Sequence, residues 1–182
     1  MSASLSAALL GAAWLGAPSL GAAADAVRFG PHDVRSAFFV AKSENKNEVH
    51  YAVRVDAACR PQGTEPVFGY WRRLKQGVRV DEPLTGAGVR VYGASNEQTV
   101  TVTPTGGRVG MYVKALKELP VDIRIDRGKA GCTAVPRVRL KGEPVRLSHA
   151  FLQLGLFGIS VKYVDVWGVR ERDGVKVTQQ FR

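Results

Sequence analysis

Apolar and polar side chains alternate residue by residue along most of the chain beyond residue 36. Between Glu48 and Asp56, for example, the valines and Tyr51 share one parity, while His50 and Arg54 share the other. Successive side chains of a β-strand point to opposite faces, so this pattern predicts strands with one apolar and one wet face. Turn residues separate the candidate strands, which lie near residues 37–43, 48–56, 66–74, 88–93, 98–104, 109–117, 121–127, 134–141, 145–156, 159–170 and 175–181.

The number and spacing of these strands predict an all-β fold. No segment after residue 24 shows a helical stripe of useful length, and short connections favour antiparallel neighbours. We expect residues 25–182 to form a single antiparallel barrel-like or half-open barrel domain of about 9–11 strands, with a β-sandwich as the alternative. The tight turn at Phe157-Gly158 joins two long candidate strands, which suits a twisted hairpin.

The N-terminal segment has the composition of an export signal. Residues 1–24 contain no charged side chain and end in Ala22-Ala23-Ala24 before Asp25, which is typical of a cleaved secretory signal peptide. Such signals usually begin with a basic residue, and here the first one is Arg28, so an uncleaved anchor helix remains an alternative. We expect a periplasmic or secreted protein with no transmembrane segment after cleavage.

Charge and location together limit the partners. The chain has 26 Lys and Arg against 16 Asp and Glu, a formal net charge of +10. Outside the cytosol, long-range attraction would act on anionic lipid, lipopolysaccharide or another envelope component. The predicted export signal argues against nucleic acid as a partner despite the positive charge.

The two cysteines, Cys59 and Cys132, are most simply explained by one disulfide in an oxidising compartment. The alternative is a nucleophilic thiol at Cys132. Envelope transpeptidases that use cysteine place a histidine two residues earlier, where this chain has Ala130.

The sequence lacks the common catalytic signatures. It has no nucleophile elbow, phosphate loop or zinc-protease motif, and its three histidines have no metal-ligand spacing, so it predicts no metal site and no cofactor. Glu48 and His50 share one strand face and form the best acid–base candidate. If they pair, the carboxylate should raise the pKa of the imidazole; if not, His50 is an ordinary solvated residue.

Three further clusters could bind a ligand, and each has a simpler structural explanation. The polar residues Asn45, Lys46 and Asn47 suit either a hairpin turn or a binding rim. Tyr70, Trp71 and Arg72 suit either a cation–π platform or core packing beside a surface arginine. Arg137, Arg139 and Lys141 stand at every second position, as an anion-binding stripe or as a solvated strand face.

Residues 38–93 and the stretch 163–168 resemble a family of exported bacterial proteins known as domain of unknown function 4833. The resemblance is carried by Phe39, 43–47, 49–51, Arg54, Asp56, Cys59, Pro61, 66–67, 70–72, 82–84, 92–93 and 163–168. It implies export and a single domain over most of the mature chain, and it implies no catalytic residue.

These observations favour a non-enzymatic envelope protein that binds an amphipathic or anionic ligand or an envelope partner. An envelope hydrolase or transferase with an acid–base site around Glu48 and His50 is the alternative.

Overall fold

The computed structural model describes residues 27–43, 47–155 and 161–182. The predicted signal peptide, residues 1–24, and the turn Phe157-Gly158 lie outside them. The described residues form eleven strands and one short helix. They are β1 Val34–Lys42, β2 Glu48–Val53, β3 Val67–Lys75, β4 Val78–Pro83, α1 Ala87–Tyr92, β5 Thr99–Thr103, β6 Gly106–Met111, β7 Val121–Gly128, β8 Gly131–Leu140, β9 Glu143–Leu154, β10 Val161–Arg170 and β11 Lys176–Phe181.

All eleven strands belong to one sheet in the order β4-β3-β2-β1-β9-β8-β7-β6-β5, with β10 between β9 and β11. We call β1–β4 the first wing and β5–β8 the second wing. The pairs are antiparallel except for β1 and β9, which run parallel. The all-β prediction is confirmed, and the unclosed sheet is consistent with a half-open barrel and with the sandwich alternative.

The long strand β9 joins the two wings because it changes partner halfway along. Its first residues, 143–146, pair with β8, and residues 149–152 pair with β1. The change occurs at Ser148, where β9 carries one more residue than β10 between the pairs Leu147–Gly168 and His149–Trp167. Such a bulge bends a strand and re-aims its side chains. Here it places both Ser148 and His149 away from the core.

Gly168 permits the close approach of β10 at this bend. A Cβ on Gly168 would lie 2.6 Å from Val145 Cγ2 and 2.8 Å from the Arg146 carbonyl oxygen. A larger residue would therefore push β10 away from β9.

One hydrophobic core lies between the wings. It includes Phe38, Tyr51 and Val53 of the first wing and Val109 and Ile123 of the second. The rings of Phe38 and Tyr51 stack with centroids 4.4 Å apart. The predicted disulfide is confirmed: Cys59, in the loop after β2, bonds to Cys132 of β8 and ties the wings together.

The structure corrects three predicted elements. In the predicted strand 88–93, residues 88–92 belong to α1 and Gly93 follows the helix, because Val89 and Val91 give the two-residue alternation of a strand while lying on an exposed helical turn. The strand β4 was not predicted, since its turn, Gln76-Gly77, uses left-handed backbone without the usual Asn or Asp. The predicted strand 109–117 ends at Met111 and continues in turns. Among the described residues, no helix has the length and apolar character that crossing a membrane requires.

Candidate functional site

A row of five rings crosses the outer face of the sheet, the face turned away from the core. The rings belong to five neighbouring strands and are, in order, Tyr70, His50, Phe39, His149 and Trp167. We call this row the ring ladder. Phe39 stacks on His50 and on His149 with centroids 5.1 Å apart, and His149 stacks on Trp167 at 4.7 Å.

The ladder exists because strand register aligns residues of the same parity. Phe39 lies directly opposite His50 on one side and His149 on the other. Directly opposed side chains on one face are the closest neighbours in a sheet. The four rings from His50 to Trp167 are nearly parallel and stacked from strand to strand, with Tyr70 tilted by 32° to His50, so the stacked rings turn their edges outward. The ladder is therefore a second apolar layer and not a flat stacking surface.

The predicted pairing of Glu48 and His50 is present. His50 Nε2 lies 2.7 Å from Glu48 Oε2, which also accepts a hydrogen bond from Arg79 at 2.8 Å. Burial raises the pKa of Glu48, but the hydrogen bonds from His50 and Arg79 outweigh it and lower the pKa below its usual value. The carboxylate therefore stays ionised and orients the imidazole.

Neither of the two alternatives for His50, a solvated residue or a paired imidazole with a raised pKa, matches the structure. The side chain is buried instead of solvated, with 5% of its surface exposed, because the neighbouring rings cover it. Its pKa is lowered instead of raised, because burial outweighs the hydrogen bond to Glu48. Its Nδ1 atom is buried and has no hydrogen-bond partner among the described residues. The neutral imidazole has the electronic state of a general base, but its lone pair faces no solvent.

Tyr70 and Arg72 belong to a closed network beside the ladder. The Tyr70 hydroxyl lies 2.8 Å from Ser36 Oγ, and Arg72 donates to both carboxylate oxygens of Asp81 at 2.8 and 3.0 Å. The ring of Phe29 covers Tyr70 edge-on at 5.1 Å. Tyr70 is fully buried, so it offers no surface to a ligand.

Trp71 points the opposite way, into the core. Its ring packs edge-on against Tyr92 at 5.5 Å, and the Arg73 guanidinium lies 5.0 Å from its centroid. The three adjacent residues that were candidates for one platform are thus divided between two faces. In the polar turn, Asn45 and Lys46 lie outside the described residues, while Asn47 immediately precedes β2.

The predicted basic stripe lies at a groove on the second wing. Arg137 and Arg139 project from β8 and line an open groove of about 710 Å³. Lys141 does not continue the row, because β8 ends at Leu140 and Lys141 sits in the following turn with a positive φ of 51°. Its backbone N–H donates to Gln179 Oε1 at 2.5 Å.

The groove combines an apolar lining with a charged rim. Its accessible apolar residues are Pro120, Pro144 and Phe181, while Met111, Leu119 and Val121 are buried. The charged part includes Arg108, Asp122, Glu118 and Glu97. Arg137 pairs with Glu171 at 2.9 Å, and Arg108 pairs with Asp122. Arg139 instead donates to the carbonyl oxygen of Gly142 at 3.1 Å, and no described carboxylate forms an ion pair with it.

Sequence reasoning missed the ladder residues Phe39, His149 and Trp167 and the groove residues Leu119 and Phe181. The sequence signal that could have indicated the ladder was the presence of aromatic residues at positions predicted to face water in several strands. No pattern in one strand indicates which other strand lies beside it. Within the described part of the chain, no cluster of three or more His, Cys, Asp or Glu side chains could hold a metal ion.

Comparison with known proteins gives a family and nothing more specific. Residues 38–180 match the family model described as Domain of unknown function (DUF4833). The chain therefore belongs to this family, and the resemblance seen in the sequence is confirmed. No curated protein and no solved structure matches the chain.

Proposed function

We propose that this member of the family is an exported, non-enzymatic protein that binds an anionic amphiphile in the groove on its second wing. The ligand would combine a phosphate or carboxylate head group with an acyl chain, as anionic lipid and lipopolysaccharide do. The exposed Pro120 and Pro144 and the partly exposed Phe181 would contact the chain, and arginine at the rim would bind the head group.

The observation that carries the proposal is Arg139 at the groove rim. Its neighbours Arg108 and Arg137 are already neutralised by carboxylates, whereas Arg139 has a backbone carbonyl as its partner. A guanidinium can exchange such a neutral acceptor for an anion at little cost, and charge-assisted hydrogen bonds are about twice as strong as neutral ones. An arginine that is positioned but not paired with an acid suits a ligand that supplies the acid.

The chemistry around Glu48 and His50 supports binding over catalysis. The geometry of an acid–base pair is present, but the second nitrogen of His50 is buried without a partner. A general base must come within hydrogen-bond reach of the proton that it removes. In this arrangement, Phe39 and Tyr70 flank the imidazole and leave no space for a substrate atom.

The disulfide supports an extracytoplasmic location. Disulfides persist in oxidising compartments such as the periplasm and are rare in the cytosol. Cys59 and Cys132 are bonded, and no free cysteine remains among the described residues. This agrees with the uncharged N-terminal segment, although the segment itself lies outside the described residues.

The test is calorimetric titration of the purified protein with dodecyl phosphate and with an uncharged dodecyl maltoside. We expect Arg139→Gln to raise the Kd for dodecyl phosphate about fivefold. This factor corresponds to about 1 kcal/mol, which is what one exposed ion pair contributes at most. Arg124→Gln is the matched control, because Arg124 is an exposed arginine of β7 that does not line the groove. Equal effects of the two variants, or equal affinity for the two amphiphiles, would contradict the proposal.

Two vesicle experiments then identify the source of the ligand. The first uses phosphatidylglycerol vesicles, and the second uses vesicles that carry lipopolysaccharide. Binding through exposed arginine should weaken as salt rises, because charges are screened over about 10 Å at 0.1 M ionic strength. Replacing Arg137, Arg139 and Lys141 together with Gln should weaken the preferred interaction further without unfolding the protein.

A further inference from the structure

The strand β5 forms one end of the sheet and leaves one backbone edge open. Its partner in the sheet is β6, and no described strand pairs with its other side. Four of its five residues are exposed, and Val102 keeps 54% of its surface accessible. An open strand edge carries unpaired N–H and C=O groups, which readily pair with another strand.

The five residues of β5 include no charge and no proline to block such pairing, and the next proline along the chain, Pro104, comes only after the strand has ended. Its residues are Thr-Val-Thr-Val-Thr, and the whole segment 98–107 contains no charged side chain. At the opposite end of the sheet, β4 carries Arg79, Asp81 and Glu82 and ends at Pro83. Charges and proline are the usual means of protecting an edge strand. The absence of charge from segment 98–107 is notable because the whole chain has a net charge of +10.

The beginning of β5 is also held firmly in place. The side-chain amide of Gln98 accepts a hydrogen bond from the Val67 N–H at 2.9 Å and donates one to the Val67 carbonyl at 2.8 Å. A strand that is already ordered loses less conformational entropy when another strand binds it. The edge is therefore prepared for pairing.

We infer that β5 pairs antiparallel with β5 of a second copy of this chain, about a two-fold axis at Thr101. The five residues read the same in both directions, so Thr101 would face Thr101 of the second copy and Val100 would face its Val102. Threonine would meet threonine on one face, and valine would meet valine on the other. Such opposed pairs stabilise sheets, and a two-fold contact uses the same patch on both copies.

A contact made by two five-residue strands is small, so we expect a weak dimer that forms with rising concentration. Stable interfaces bury at least about 1,000 Å², and short edges bury less. The pairing would cover the exposed side chain of Val102. Of the five residues of β5, Thr99 also lines the groove, but Arg139 takes no part in the pairing, so the inference does not rest on the proposed function.

Cysteine cross-linking tests the pairing and its register. In Thr101→Cys, the new cysteine would face itself across the axis at a Cα–Cα distance of about 4.5–5.5 Å, which suits a disulfide. In the matched control Thr103→Cys, the two cysteines would lie about 13 Å apart along the paired strands. We expect Thr101→Cys to form covalent dimers at least about ten times faster under mild oxidation, because of its higher effective concentration. Equal rates in both variants would overturn the inference.

Sedimentation of the otherwise unchanged protein over a concentration series gives an independent measurement. We expect the average mass to rise with concentration, and Val102→Lys to abolish the rise by placing two like charges diagonally across the edge, about 7–8 Å apart. Val78→Lys on β4, where Val78 is also exposed, should leave the rise intact. A protein that stays monomeric at all concentrations, or responds equally to both lysines, would also overturn the inference.

Discussion

The outer faces of the two wings follow the same alternation in sequence and differ in their surroundings. On the second wing, the outward residues are exposed charges such as Arg124 and Asp126, whose side chains pair at 2.6 Å and remain about half exposed. On the first wing, the outward residues Phe39 and His50 belong to the ring ladder, and His50 is buried. One face is solvated, and the other carries a second apolar layer.

The difference shows what alternation does and does not establish. Alternation indicates that two sets of side chains lie on opposite faces of a strand. It does not indicate that one of those faces is exposed to water. On the first wing, stacked rings and the covering ring of Phe29 exclude solvent from His50 and Tyr70, although Phe39 stays partly exposed. The pair of Glu48 and His50 therefore experiences a different environment from a charged pair on the second wing.

The largest expected effect concerns the bond that holds the wings together. Replacing both Cys59 and Cys132 with Ala should lower the free energy of unfolding by about 4 kcal/mol, because the disulfide closes a long loop and restricts the unfolded chain. Urea unfolding of the variant and of the oxidised protein measures the difference. A loss below about 1 kcal/mol would mean that packing between the wings, and not the disulfide, provides the restraint.

A smaller effect should distinguish the two outer faces directly. Phe39→Ala removes the central ring of the ladder and should cost about 2–3 kcal/mol, less than a fully buried phenylalanine because Phe39 is only partly buried. Arg124→Ala on the second wing should change stability by less than about 0.5 kcal/mol, as exposed ion pairs usually do. If thermal or urea unfolding gave similar losses for both, the ladder would not be a packed layer.

The smallest expected effect is a dependence of stability on pH. Burial lowers the pKa of His50 and of His149 in the folded protein, so the unfolded chain binds more protons between these lowered values and the ordinary value of 6.5. Stability from these residues is therefore present above about pH 6.5 and is lost as the pH falls towards the folded values. Unfolding measured between pH 7 and pH 5 should show this loss, and His50→Phe should reduce it.

NMR titration separates the two influences on His50. In Glu48→Gln the pKa of His50 should fall further, because the hydrogen bond to the Glu48 carboxylate favours the charged imidazole. An unchanged pKa would show that Glu48 does not hold the ring in solution. A pKa above 6.5 in the unaltered protein would show that the outer face of the first wing is wetter than the structure indicates.

Much of the fold could be predicted from sequence because strand alternation is a local property. Ten of the eleven observed strands overlap predicted ones, and β4 was missed for its unusual turn at Gln76-Gly77. The parallel pairing of β1 with β9 could not be predicted, because these strands lie about a hundred residues apart in the chain and alternate in the same way as every other pair.

The candidate sites also combine features that the sequence predicts with features that it does not. Sequence alone determined that Glu48 and His50 share a strand face and that Arg137 and Arg139 stand in one row, because both are consequences of a two-residue period. It also predicted that the two cysteines, Cys59 and Cys132, most simply pair, and they do. Neighbouring side chains within one strand need no further information.

Only the tertiary structure decided which strands meet, and in which register. The bulge at Ser148 turns His149 outward between Phe39 and Trp167 and so completes the ladder that buries His50. Burial, in turn, reverses the expected direction of the His50 pKa shift. The solvation and the pKa of a residue depend on which side chains from distant parts of the chain pack against it. The alternation within one strand does not indicate those contacts.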